Sequence, residues 1–222
     1  MLIAIRSLKS RLAGRAAALR PCTSGIALTE FAMSLPVLLT LGLFGLETAN
    51  FAMAHLRVSN IAMITADNAA RIRDSIDEGD VIDLFTGSKM TGDSIGFAQN
   101  GRIVLSSLEL NAANNGQWIR WQRCDGARAY SSTYGPEGTG QTSSSLQYVG
   151  PAANPISAAS GTAVMVVEVS YVYQPIIPNS FLSGRVIRYE SAFNVRQRTN
   201  QALTNNGNLT AAQRRTCNLY QA

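Results

Sequence analysis

The sequence predicts an α+β protein, in which one long N-terminal helix, first transmembrane and then amphipathic, packs on a small antiparallel sheet. Three observations predict it. From Ile26 to Leu46 the only charged residue is Glu30. Beyond that stretch apolar residues recur every three or four positions as far as Ile76, and past residue 102 the pattern changes to alternation with a period of two. The chain has 222 residues, 46% hydrophobic and 15% charged, so it holds enough apolar surface to offset the entropy of ordering. Its length suits one ordinary domain plus an anchor.

The first element is a leader, residues 1–25. Arg6, Lys9, Arg11, Arg15 and Arg20 lie in it with no acid among them, and they account for the whole net charge of +5. The rest of the chain is formally neutral. Nucleic-acid binding would therefore rest on the leader alone, which lacks aromatic platforms and a paired helix-turn-helix pattern. The sequence gives no nucleic-acid partner.

Residues 26–54 form the anchor. A helix needs roughly 20 residues to cross a hydrocarbon core of about 30 Å, and Ile26 to Leu46 meets that length. The basic block directly before it is the flank that stays in the cytoplasm. The C-terminal bulk then lies outside the cytoplasm, on a single-pass membrane protein. Pro36 falls inside the span, where membrane helices tolerate it better than soluble ones do. Ala52-Met53-Ala54 imitates a secretory cleavage site, but the apolar run exceeds the roughly 7 to 15 residues of a signal-peptide core.

Next comes an amphipathic extension, residues 55–79. Phe51, His55, Val58, Ala62, Thr65, Ala69, Ile72 and Ile76 share one helical face, with Arg57, Asn60, Asp67, Arg71 and Asp74 between them. Gly79 is the expected terminator, so the helix should continue the anchor up to that point. Asp74, Asp77, Glu78, Asp80 and Asp83 cluster here without the ordered glycine and closing glutamate of a calcium loop, which makes a solvated surface the expectation. His55 is the only histidine, and it reads as a packing residue rather than a metal ligand or catalytic base.

The exported head is residues 80–222. Ile103 to Leu110 and Trp118 to Trp121 read as strands, with Asn115-Gly116 suggesting a hairpin between them. Met165, Val167, Val169, Tyr171 and Tyr173 share one face of a third strand, and Ile187, Tyr189, Phe193 and Val195 do so on a fourth. Residues 127–161 turn to Gly, Ser, Thr, Pro and Tyr and read as a long surface loop or partly ordered insert. The C-terminal tail reads as irregular. Cys124 and Cys217 both fall in the exported part while Cys22 falls in the leader, so an oxidising envelope selects Cys124 and Cys217 as a disulfide.

Gly25-Ile26-Ala27-Leu28-Thr29-Glu30-Phe31 stands where the leader meets the membrane span. A carboxylate near the apolar zone is costly, which marks Glu30 as functional. The arrangement resembles a type IV prepilin processing site. That resemblance implies cleavage between Gly25 and Ile26 by a prepilin peptidase, with Glu30 and Phe31 read in processing and assembly. It also implies that the Glu30 carboxylate pairs with the new α-ammonium of a neighbouring subunit.

More narrowly, Thr29-Glu30-Phe31-Ala32 followed by Leu35-Pro36-Val37-Leu38-Leu39 is similar to the opening of the TadE-like pseudopilins, with TadF and TadG relatives. Val164 to Tyr171 leading to Pro175, then a strand with Arg188, resembles a segment near the C-terminus of such proteins. The family implies a pilin-like fold and a structural minor subunit of a Tad (Flp) type IV pilus. Its implied partners are the peptidase, other pilin subunits, the pilus machinery and the membrane.

No cofactor and no catalytic residue are expected, because the sequence has no nucleophile elbow or metal motif and only one histidine. The alternative is an uncleaved single-pass anchor carrying a periplasmic ligand-binding or sensor domain, which has no need of the Gly25-x4-Glu30 spacing.

Overall fold

The computed structural model describes residues 25–221, and the basic residues and Cys22 of the leader lie outside that range. The chain divides into two units, the first ending at Thr48 and the second running from Ala49 onward. In chain order the elements are α1 (Ile26–Arg71), β1 (Asp74–Asp77), α2 (Glu78–Gly92), a 3-10 turn (Asp93–Ile95) and the single turn α3 (Phe97–Asn100). Five strands follow: β2 (Gly101–Leu110), β3 (Gln117–Asp125), β4 (Ala163–Val172), β5 (Val186–Asn194) and β6 (Arg198–Thr204).

In the first unit the most apolar 18-residue window of α1 has 0% of its residues buried. The helix is long and apolar enough to cross a membrane. Its hydroxyl groups turn back onto the helix: Thr29 Oγ1 donates to Ile26 O at 2.8 Å, Thr40 Oγ1 to Pro36 O at 2.7 Å and Thr48 Oγ1 to Phe44 O at 2.8 Å. These side chains therefore bring no unsatisfied donor into lipid.

In the second unit α1 becomes one wall of the core. Ala54, Val58, Ile61, Ala62, Ala66, Ala69 and Ala70 are buried, so the face is the one that the periodicity predicts. Its many alanines bring the helix backbone close to what it packs on. Buried Thr65 donates to Ile61 O at 2.6 Å and meets Ser88 of α2 at 2.6 Å, so its hydroxyl is satisfied within the core.

The helix ends at Arg71 rather than continuing to Gly79. Its last carbonyls find partners elsewhere: Ala70 O accepts the Arg196 amide at 3.2 Å and Ala69 O accepts Arg198 Nη1 at 3.3 Å. The chain then reverses at Asp74, which takes φ of 59°. Ile76 is buried, as the helical spacing requires, but it reaches the core from a strand. β1 pairs in parallel with β6.

Gly79 lies in the first turn of α2 instead of ending a helix. Asp77 caps α2 by accepting the Gly79 amide at 3.0 Å, while Asp80 accepts the Asp77 amide at 2.9 Å, a reciprocal capping box. The acidic cluster is thus divided among separate structural duties. Phe97, fully buried, is held between Gly92 and Gly101, where an added Cβ would lie 2.5 Å and 2.4 Å from its side chain.

The main sheet is antiparallel in the order β3-β2-β4-β5. β2 and β4 are central and buried along nearly all their length, because both faces of the sheet are covered. On one face Ile103, Leu105, Trp121, Met165, Val167, Val169, Tyr171 and Ile187 meet α1, α2 and Phe97. On the other face Leu108, Ile119, Val164 and Val166 are covered by Leu146, Val149 and Ala158 from the insert. The insert forms no named strand, only a bridge between Val149 and Ile156, yet it supplies a second core. β3 and β5 are the edge strands.

Candidate processing and assembly site

Gly25 precedes α1, and its carbonyl accepts the Thr29 amide at 3.0 Å as the first helical bond. A Cβ at Gly25 would meet nothing within 4 Å, and its φ is not positive. The fold of the described residues therefore places no demand for glycine here. Ile26 begins the helix, and Glu30 follows one turn later on the same side. Glu30 and Phe31 are both exposed, Phe31 at 57%. All four residues thus fall at the head of one exposed helix, within two turns of each other.

The predicted cysteine pair lies in the second unit, away from that segment in the chain. Cys124, near the end of β3, and Cys217 of the tail are joined in a disulfide with Cα atoms 4.7 Å apart. Around the bond the tail runs along the β3 edge: the Cys124 amide donates to Arg215 O at 2.7 Å and the Gly126 amide to Gln221 O at 2.9 Å.

Arg102 is fully buried behind the bond. Its Nη1 donates to Gly126 O at 2.8 Å and Leu219 O at 2.7 Å, its Nη2 donates to Cys217 O at 2.7 Å, and Tyr220 lies under the guanidinium at 4.4 Å. Burial pulls the Arg102 pKa below its ordinary value, against the opposing influence of Tyr220 and Asp125. Asp125, also buried, is flanked by Lys89 at 3.2 Å and Arg215 at 3.1 Å. This clasp was not foreseen. Its trace in the sequence is a lone arginine at the start of the apolar run 103–105.

A second ionic group ties three elements. Arg123 of β3 grips Glu78 of α2 through Nη2 at 2.7 Å and Nε at 3.0 Å, and meets Glu137 of the insert at 2.9 Å. Burial would lower the Arg123 pKa, but hydrogen bonding and charge from Glu78, then Glu137, raise it overall. Glu168 of β4 fastens the insert by accepting from Tyr130 Oη at 3.0 Å, from the Thr133 amide at 2.8 Å and from Ser132 Oγ. His55 packs edge-on against Phe51 and meets Tyr189 Oη at 3.2 Å through Nδ1.

Residues 25–67 match the model of the TadE-like protein family. The match opens on Gly25 and ends at Asp67 within α1, so the TadE-like part of the chain is the exposed helix and its first turns in the second unit. The resemblance read from the head of the helix agrees with it. The match covers that segment alone, and α1 is consistent with a single-pass membrane anchor. The sheet, insert and clasp lie outside the matched residues. No curated protein and no solved structure matches the chain.

Proposed function

We propose that the chain is a minor pilin-like subunit of a Tad-type pilus, inserted through α1, cut between Gly25 and Ile26 by a prepilin peptidase, and assembled through the same helix. The leader stays in the cytoplasm and the head stands outside the inner membrane. The function is structural rather than catalytic.

The observation that carries this reading is the apolar surface of α1. It is uncovered in the anchor, and in the second unit it continues on the side away from the sheet as Met53, Leu56, Met63 and Ile64, exposed at 50%, 61%, 49% and 46%. Those positions recur at helical spacing. A simple anchor has no use for an apolar stripe beyond its span, whereas a subunit that stacks its helix against others does. Removal of residues 1–25 leaves the Ile26 ammonium one turn from Glu30. The carboxylate is then ready to pair with its own or a neighbour's N-terminus, which offsets the desolvation of both charges.

Intact-mass measurement of the membrane-purified protein tests the proposal. Cleavage after Gly25 is the expected result. A full-length mass sinks the pilin-like reading in favour of an uncleaved anchor, and a mass corresponding to cleavage after Ala54 sinks both.

A further inference from the structure

The insert-facing side of the main sheet changes character at one end. Arg102, Ser170 and Arg188 lie directly opposite one another across β2, β4 and β5, so their side chains form one row on that face. Arg128, at the start of the insert, brings a third guanidinium to the row. Its Nη1 donates to Ser170 Oγ at 2.6 Å, and its amide donates to Gly101 O at 3.2 Å. Arg102 is fully buried and spends its Nη atoms on the three carbonyls of the clasp. Arg128 is only half-buried and Arg188 is exposed.

Among the described residues, neither Arg128 nor Arg188 forms an ion pair with a carboxylate. The next row on the same face is Val104, Glu168 and Glu190, and its carboxylates are engaged by the insert. Glu168 accepts from Tyr130, Ser132 and Thr133, and Glu190 accepts from Tyr134 Oη at 2.7 Å. Arg188 lies over the Tyr130 ring, 5.7 Å from its centre. Burial, and then the charge of Arg188, pulls the Arg128 pKa below its ordinary value, against Tyr130. Two like charges therefore share one surface site, and their repulsion falls when an anion joins them.

We propose that Arg128 and Arg188 form a binding site for a phosphate or sulfate group, with Ser170 and Tyr130 holding the two guanidiniums in place. Ser170 takes one N–H of Arg128 and Tyr130 takes the face of Arg188, which leaves the remaining N–H groups of both forks for a ligand. A guanidinium fork matches two oxygens of a tetrahedral oxyanion, and two forks match its double charge. Inorganic phosphate and the sulfate or phosphate esters of an anionic polysaccharide present the same oxygens. The site does not depend on the pilin-like reading, since its test reads ligand binding and not the mass of the chain.

The full-length protein in neutral detergent is titrated by calorimetry with sodium phosphate and, separately, with dextran sulfate, uncharged dextran serving as the control. Wild type should bind phosphate, and its denaturation midpoint should rise with phosphate but not with chloride at equal ionic strength. Arg188→Gln should weaken phosphate binding about tenfold, the loss of one charge-assisted fork. Arg188→Lys, which keeps the charge and loses the fork, should recover only part of it. Without anion, Arg188→Gln should be at least as stable as wild type, because the repulsion is gone. Dextran sulfate bound more tightly than phosphate, and weakened by the same variant, supports the site and assigns it to an ester-bearing polymer. Phosphate binding without dextran sulfate binding supports the site and assigns it to the free ion. Absence of phosphate binding by wild type, or equal affinity in Arg188→Gln, overturns the proposal. A midpoint shift that Arg188→Gln retains is the general effect of an excluded salt and overturns it too. An Arg188→Gln protein less stable than wild type without anion makes Arg188 a structural residue and also overturns it.

Discussion

Gly25 has open space where a Cβ would stand, so under the proposed processing a requirement for glycine comes from a molecule other than this one. A peptidase that grips the backbone at the scissile bond supplies such a requirement, since a branched side chain would hold it off. Gly25→Val should leave a full-length, membrane-bound precursor, seen as a larger band on a gel. Glu30→Ala should be cut and inserted normally, because removing a carboxylate from the edge of the apolar zone eases insertion. It should fail instead to co-purify with sheared pilus material. The TadE-like opening was legible because its residues are consecutive and its context is a charge step, both visible in one dimension.

Asp77 shows the opposite case, a residue whose work depends on distant chain. Burial pushes its pKa up, but the amides of Asn206, Gly79 and Glu78 and the Thr204 hydroxyl outweigh that and hold it below the usual carboxylate value. Its stabilising contribution is present above the unfolded-state pKa of about 3.9 and is lost as pH falls through the lower folded value. Asp77→Ala should therefore cost about 1 to 2 kcal/mol near neutrality. Denaturation midpoints of mutant and wild type should converge as pH falls through the lowered folded-state pKa. The capping box was visible as Asp77-x-x-Asp80, although the acidic cluster around it favoured a solvated surface.

At the scale of elements, the strands were legible wherever one side chain in two is apolar. Met165, Val167, Val169 and Tyr171 occupy the helix-facing side of β4 that their alternation assigns. The end of α1 was not legible, because Ile72 and Ile76 keep the helical spacing across a chain reversal that only Asp74 φ reveals. The parallel pairing of β1 with β6 joins segments more than a hundred residues apart, and neither is apolar enough to announce itself.

The insert reads as a loop and forms no named strand, but its covering role was not legible, for a similar reason. Its Leu146, Val149 and Ala158 are scattered among glycine and serine, yet without them Leu108, Ile119, Val164 and Val166 would face water. Leu146→Ala should thus cost about 2 kcal/mol, the low end for a buried leucine because a loop relaxes more readily than a helix. Urea unfolding of the detergent-solubilised protein measures the loss, and increased binding of an apolar dye should accompany it.

Across the whole molecule, the disulfide closes a separation of 93 residues and encloses the insert, β4, β5 and β6. In the chain-entropy model a loop of that length is worth about 4 to 5 kcal/mol, often less in practice. Its loss has a second effect, because Arg102 takes two of its three carbonyl partners from the tail. Cys217→Ser should lower stability and also free the tail, so that trypsin cuts after Arg214 and Arg215 before it cuts the rest of the head. Non-reducing peptide mapping of envelope-purified protein should recover the Cys124–Cys217 linkage. The cysteine pairing was reached through compartment alone, while the buried guanidinium that makes the tail matter carries no pattern at all.

The edge strand β5 bears on symmetry. Two copies could extend one sheet by pairing β5 with β5 antiparallel, but the two-fold axis relating them would stand perpendicular to the sheet. Any helix lying along the sheet face is turned end for end by such a rotation, and α1 lies there in the second unit. The α1 segments of the two copies would then run antiparallel across the joined sheet, so an assembly whose helices all run one way cannot be built by pairing β5 with β5.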